Sequence, residues 1–155
     1  MTAELGVGLG LNSNARKAGI FSAFFDWGDM VQKINIGQPI DLKRSDLPAE
    51  PFYIVVSADF EAMGVDPLWD LATLLVESGA MYVAAHGNQG TLCDDAVDMV
   101  WVERDVVQKV KRPMVMTTWH NGKTIEDVLD VMKIMTPYED WKVKKWPTVV
   151  LKIGA

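Results

Sequence analysis

A chain of 155 residues, 49% of them apolar and 23% charged, has the size and makeup of one globular domain, which argues against a disordered segment or a string of domains. The net charge of −6 argues against nucleic-acid binding by phosphate neutralisation, since Lys109, Lys111 and Arg112, then Lys142, Lys144 and Lys145, are the nearest thing to a basic patch. One cysteine, Cys93, excludes an internal disulfide and a thiolate zinc site within the chain, and points to a reducing compartment.

Residues 1–13 carry Gly6, Gly8 and Gly10, but a phosphate-binding loop needs a strand before the glycines and a helix after them. They read as a flexible start. Asn14 to Trp27 reads as a helix, with Ile20, Phe21, Phe24 and Phe25 as an apolar stripe at helical spacing. Its apolar part, Ala18 to Phe25, is short for a signal peptide, and Asp26-Trp27-Gly28-Asp29 stands where a small-residue cleavage site belongs. No run approaches the roughly 20 apolar residues that span a bilayer. The expectation is a cytoplasmic protein with no membrane association. Pro39, Pro48 and Pro51 mark residues 37–52 as a loop that wraps toward the first core strand. This divides the chain into an N-terminal extension, 1–50, and an α/β domain, 51–155.

The pattern sharpens at Tyr53. Tyr53 to Ala58 is an apolar strand that ends on Asp59. Asp66 as N-cap and Pro67 at the first position open a helix with Leu68, Leu71, Ala72 and Leu75 on one face, closed by Gly79. Met81 to Ala85 is a second strand, ending on His86-Gly87. Thr91 and Asp94 have capping-box spacing and open a short helix to Asp98. Val100-Trp101-Val102 reads as a short strand, 105–112 as a helical turn, and Met114 to Trp119 as a strand ending on His120. Thr124 and Asp127 repeat the capping spacing ahead of the stripe Ile125, Val128, Leu129, Met132 and Met135, which stops before Pro137. Trp141 to Trp146 is short and amphipathic, and Val149 to Ile153 is a final strand. Strands alternating with helices imply one doubly wound, mainly parallel sheet of about five strands starting at Tyr53, with helices on both faces and an N-terminal helical extension.

In such sheets, ligands bind beyond the carboxyl ends of the strands. Asp59, His86 and His120 stand at three of those ends, and the turns add Asn88 and Asn121 with glycines that allow close backbone approach. Asp59, His86, Asn88, His120 and Asn121 are therefore the candidate ligand-binding residues. Cys93 with His86 or His120 is the candidate for thiol–imidazole catalysis, which requires the sulfur within reach of a ring nitrogen. The turn at His86-Gly87 resembles the histidine–glycine turn of caspase-like peptidases. In that family the nucleophilic cysteine follows the next strand, whereas here the 100–102 run is followed by Glu103-Arg104-Asp105. A metal site built from His86, His120, Asp59 and Asp94 or Asp95 lacks any local ligand spacing, so no metal and no cofactor is expected.

The segment from Tyr53 to about Trp141 resembles an uncharacterised family of small bacterial α/β domains, a domain of unknown function. The resemblance rests on the glycine loop with a cysteine, Gly87 to Cys93, and on Met116-Thr117-Thr118-Trp119-His120 ahead of an acidic capped helix. It implies the fold and no activity. In that family tryptophan more often stands where this chain has His86, so the resemblance weighs against a catalytic role for His86.

Six tryptophans and nine methionines are many for one small core, and both residue types are enriched at interfaces. The functional expectation is a non-enzymatic binding or accessory protein of the bacterial cytoplasm. It would engage a protein partner, or a second copy, through an acidic surface rich in Trp and Met. The alternative is a small-molecule binder or a Cys/His enzyme with its cleft at the strand ends.

Overall fold

A computed structural model describes residues 31–49, 51–110, 114–134 and 147–154. The glycines of 1–13, the helix expected over Asn14–Trp27, Met135 and the Trp141–Trp146 segment lie outside the described residues. Lys33–Ala155 forms one compact unit. In chain order the elements are β1 (Val31–Ile36), two 3-10 turns (Pro39–Asp41 and Arg44–Asp46), β2 (Phe52–Ser57), α1 (Phe60–Met63) and α2 (Val65–Ser78). They continue with β3 (Ala80–His86), α3 (Gly90–Val102), a π-helical turn (Glu103–Val107), β4 (Met116–His120), α4 (Ile125–Ile134) and β5 (Thr148–Ile153).

The strands form one five-stranded sheet in the order β1-β5-β2-β3-β4, and the β5-β2, β2-β3 and β3-β4 pairs are parallel. The fold is the α/β sheet that the alternation implied. Two strands depart from the sequence reading. Val100-Trp101-Val102 is no strand: it is the last turn of α3, because Ala96, Val97 and Val100 repeat at helical spacing and bury one face. Three β-branched or aromatic residues in a row carried the strand signal, and tertiary packing overrode it. The missing strand is β1. Its solvent-exposed positions leave only Ile34 and Ile36 against the core, so its apolar pattern is thin.

Between β1 and β2 the chain enters the core twice. The Asp41 carboxylate accepts from the Gln38 N–H at 3.1 Å, and Asp46 from the Lys43 N–H at 2.9 Å. Each contact closes a tight turn that delivers a leucine, Leu42 and then Leu47, into the core. Leu42 and Leu47 thus pack into the core of the unit Lys33–Ala155.

The helix starts were only partly legible. Thr124 and Asp127 form the expected reciprocal cap, with the Asp127 N–H donating to Thr124 Oγ1 at 3.1 Å and the Thr124 N–H to Asp127 Oδ2 at 3.4 Å. Gly79 closes α2 in the left-handed region at φ 102°. However, α2 begins at Val65, two residues before the start that an Asp66 cap implies. Its N-cap is Gly64, and Pro67 sits inside the first turn, where N–H groups have no intrahelical partner anyway. Likewise α3 starts at Gly90 behind Gln89, so Thr91 lies within the helix and does not cap it.

β2 and β3 are buried from Phe52 to Val56 and from Ala80 to Ala85, so side chains pack on both faces. On one face Ile54, Val56, Val83, Ala85 and Leu151 meet Leu71, Leu75, Cys93 and Val97 of α2 and α3. On the other lie Tyr53, Val55, Tyr82 and Ala84, against which α4 buries Val128 and Met132. This division follows from handedness. The steps from β2 to β3 to β4 move one way across the sheet with their helices on one face. The return from β4 to β5 moves the other way, and a right-handed crossover then puts α4 on the opposite face. Leu75 has no exposed surface, so Leu75→Ala is expected to lower unfolding free energy by about 2–5 kcal/mol in a denaturant titration. A loss under about 1 kcal/mol would contradict the packing described.

Candidate functional site

Because α3 leaves β3 on one face and α4 leaves β4 on the other, the backbone parts at the carboxyl ends of these two strands. That is where a ligand crevice forms in open α/β sheets. His86 and His120 stand there as direct register partners, and the same row continues through Ser57 of β2 to Lys152 of β5. Register partners in parallel strands project from the same face. Lys152, Ser57, His86 and His120 therefore share the face covered by α4.

Two hydrogen-bonded chains run through this row. In the first, Ser57 Oγ lies 2.8 Å from His86 Nδ1, and His86 Nε2 lies 2.5 Å from the Lys123 carbonyl oxygen. In the second, Tyr82 Oη lies 3.1 Å from Thr118 Oγ1, which lies 2.9 Å from His120 Nε2. Tyr53 packs edge-on against Tyr82 beneath them, with ring centroids 5.7 Å apart. Backbone bonds knit the strand ends together: the Ala58 N–H donates to the His86 carbonyl at 3.0 Å and the Gly87 N–H to the His120 carbonyl at 3.2 Å.

Asp59 and Asn88 come together as well, through a different role. Asp59 caps the short helix α1 by accepting from the Ala62 N–H at 3.1 Å, and it accepts from Asn88 Nδ2 at 3.0 Å. The Ala62 N–H and the Asn88 amide hold its carboxyl below the usual carboxylate range. Asn88 also reaches Glu61 at 3.3 Å. Asn121 is exposed in the bend after β4. Cys93 does not join the histidines. It lies in the core on the opposite face, 1% exposed, and burial, with Asp94 adding to it, pushes its thiol up to about 12. A thiol in that setting is packing and not a nucleophile. Sequence reading missed Ser57, Tyr82, Thr118 and Lys123. None of the four carries a local sequence signal, because each acquires its partner from a neighbouring strand or loop.

Gly87 makes the junction possible. At φ 122°, a Cβ there would sit 2.2 Å from the Ala58 carbonyl oxygen. Gly87→Ala is expected to destabilise the fold by about 1 kcal/mol or more and to separate the β2 and β3 ends, read by denaturant titration and by altered His86 NMR signals. Native-like stability with unchanged His86 signals would contradict this geometry.

His120 has its pKa held below the ordinary 6.5, by partial burial first and then by the charges of Lys123 and His86. The unfolded chain therefore binds more protons than the folded one between the lowered value and 6.5. The contribution of His120 to stability is present above 6.5 and falls away on acidification. His120→Gln is expected to flatten the stability curve between about pH 5 and 7. An unchanged slope would show that His120 titrates alike in both states.

A second surface lies on the other face, along α3 and the edge strand β4. Most of the large apolar side chains that the described residues expose fall between Leu92 and Trp119, with Met99 at 57%, Met114 at 50% and Trp119 at 53%. The Trp119 side chain lies over Gly90, where a Cβ would meet its own at 3.2 Å, so the first turn of α3 sits close on the strand. Asp94, Asp95 and Asp98 run along α3, and Thr117 Oγ1 donates to Asp98 at 3.2 Å. Burial and then the neighbouring Asp94, with a smaller push from Asp95, raise the Asp98 pKa against the pull of Thr117. Of the remaining tryptophans, Trp69 is at the margin of exposure and Trp101 is partly buried against the core, while Trp27, Trp141 and Trp146 lie outside the described residues.

A family model described as "Domain of unknown function (DUF7684)" matches residues 38–155. The chain belongs to this family. The match to DUF7684 includes both 3-10 turns and every strand from β2 to β5, so it starts upstream of Tyr53, where the resemblance began. No curated protein and no solved structure matches the chain. Among the described residues of this DUF7684 chain, no cluster of three or more His, Cys, Asp or Glu is arranged to hold a metal ion. No helix among them is long and apolar enough to cross a membrane.

Proposed function

We propose that this chain is a binding or accessory protein of the bacterial cytoplasm that engages a protein partner through the α3–β4 edge. The observation that carries this reading is the concentration of exposed large apolar residues between Leu92 and Trp119, beside the acidic run Asp94, Asp95 and Asp98. Scattered exposed apolar residues need no explanation, but a cluster of Trp and Met rimmed by charge fits an interface. Burial first, and then the charges of Asp94 and Asp95, raise the Asp98 pKa, and a Lys- or Arg-bearing partner would offset that neighbouring charge. A single cysteine buried in the core fits a reducing compartment.

A photo-crosslinking amino acid placed at Trp119 or Met99 in cells that make the protein tests this. A discrete adduct is expected from those positions and not from Ile40, which is 84% exposed but remote in sequence from the cluster. Its mass separates a different protein from a second copy. Charge reversal by D95K with D98K is expected to abolish it. Adducts that form equally from Ile40, or none from any position, would reject the reading.

A second reading, a small-molecule site at the carboxyl edge, is favoured by the register pairing of His86 with His120 at the point where the chain parts to opposite faces. Its Cys93 variant is set aside by the burial of that thiol.

A further inference from the structure

Ser57 ends β2 at the centre of the sheet, in register between Lys152 on one side and His86 on the other. It is half-buried, so water could satisfy its hydroxyl without help from a neighbour. Instead Ser57 Oγ lies 2.8 Å from His86 Nδ1. The direction of that bond follows from the other side of the ring. His86 Nε2 faces the Lys123 carbonyl oxygen, which can only accept, so the neutral ring carries its proton on Nε2 and presents a lone pair at Nδ1. The Ser57 hydroxyl therefore donates to a base whose tautomer is fixed by a main-chain acceptor. Nucleophile, base and orienting group are what an activated serine requires, and the end of a central strand leading into a helix is where α/β folds present one.

We propose that Ser57 is a nucleophile and His86 its general base, acting on carboxylic esters. Ser57 Oγ adds to the ester carbonyl carbon as His86 Nδ1 takes its proton. The bond to the alcohol oxygen breaks, and His86 returns the proton to the departing alkoxide. Water, deprotonated by the same nitrogen, then cleaves the acyl-serine to the carboxylic acid and free Ser57. The N–H groups of Ala58 and Gly87 are engaged by the carbonyls of His86 and His120, so charge developing on the carbonyl oxygen is met by side chains. Lys152, the register partner of Ser57, and Lys123, whose charge acts on His120, are the cations nearest this row. This site lies on the face opposite Trp119 and Asp98, so it stands or falls independently of the protein-binding reading.

The test uses the full chain and a fluorophosphonate probe. Its P–F bond breaks as the Ser57 O–P bond forms, fluoride leaves, and the proton passes to His86. Peptide mass mapping is expected to show one adduct, on Ser57, and none in S57A. H86Q is expected to slow labelling about 100-fold while circular dichroism shows a folded protein. The wild-type rate is expected to rise with pH, as attack assisted by a general base requires, a readout that needs no variant to fold. Release of nitrophenolate from p-nitrophenyl acetate is expected to exceed that of S57A. No adduct, an adduct on another residue, a rate flat with pH, or ester cleavage equal to that of S57A would each overturn the proposal.

Discussion

β2 and β3 pair in parallel with both faces covered, and the rest of the described structure depends on that pairing. From Tyr53 to Ser57 the register runs unbroken against Tyr82 to His86, and β5 and β4 extend it on either side. In a parallel sheet a shift of one residue would carry every side chain to the opposite face. The apolar residues resist that strongly, because Ile54, Val56, Val83 and Ala85 fit against α2 and α3 while Tyr53 and Tyr82 meet edge-on on the other side. Core packing thus fixes the register. The register in turn brings Lys152, Ser57, His86 and His120 into one row, with no need for those polar residues to attract each other.

The same logic separates thiol from imidazole. Cys93 is only a few residues beyond His86, and proximity in sequence made a pair plausible. Yet His86 projects toward the α4 face, whereas α3 crosses the other face and carries Cys93 down into the core. A turn that places a helix on one face of a sheet removes that helix from strand-end side chains on the other. Face, not sequence distance, decides which groups meet.

Much of the fold was legible because its signals were periodic and local. The β2, β3 and β5 runs are nearly continuous apolar stretches, as strands buried on both faces should be, and the Thr124–Asp127 cap is a contact between residues near in sequence. What escaped was set by tertiary context. β1 lies at one edge, where few of its residues need be apolar, and Val100 to Val102 continue a helix because Val100 completes a buried face begun at Cys93. The strand-end residues Asp59, His86 and His120 were legible from their positions alone. Ser57 was not: a small polar residue at a strand end carries no signal until the neighbouring strand supplies a histidine at its register partner.

Asp59 shows how such a position can mislead. It stands at a strand end like His86, but its carboxylate is committed to the Ala62 N–H and the Asn88 amide, both neutral donors that hold a short helix against the loop after β3. Both donors meet the same oxygen, Oδ1, which is thereby in use for structure. His86 is held just as firmly, yet its partners divide differently: the Lys123 carbonyl fixes one nitrogen, and the other faces a hydroxyl. A residue whose hydrogen bonds all end on backbone or neutral amides is holding the fold together. One whose hydrogen bonds orient a lone pair toward a hydroxyl, as those of His86 do, has the arrangement that the proposed proton transfer requires.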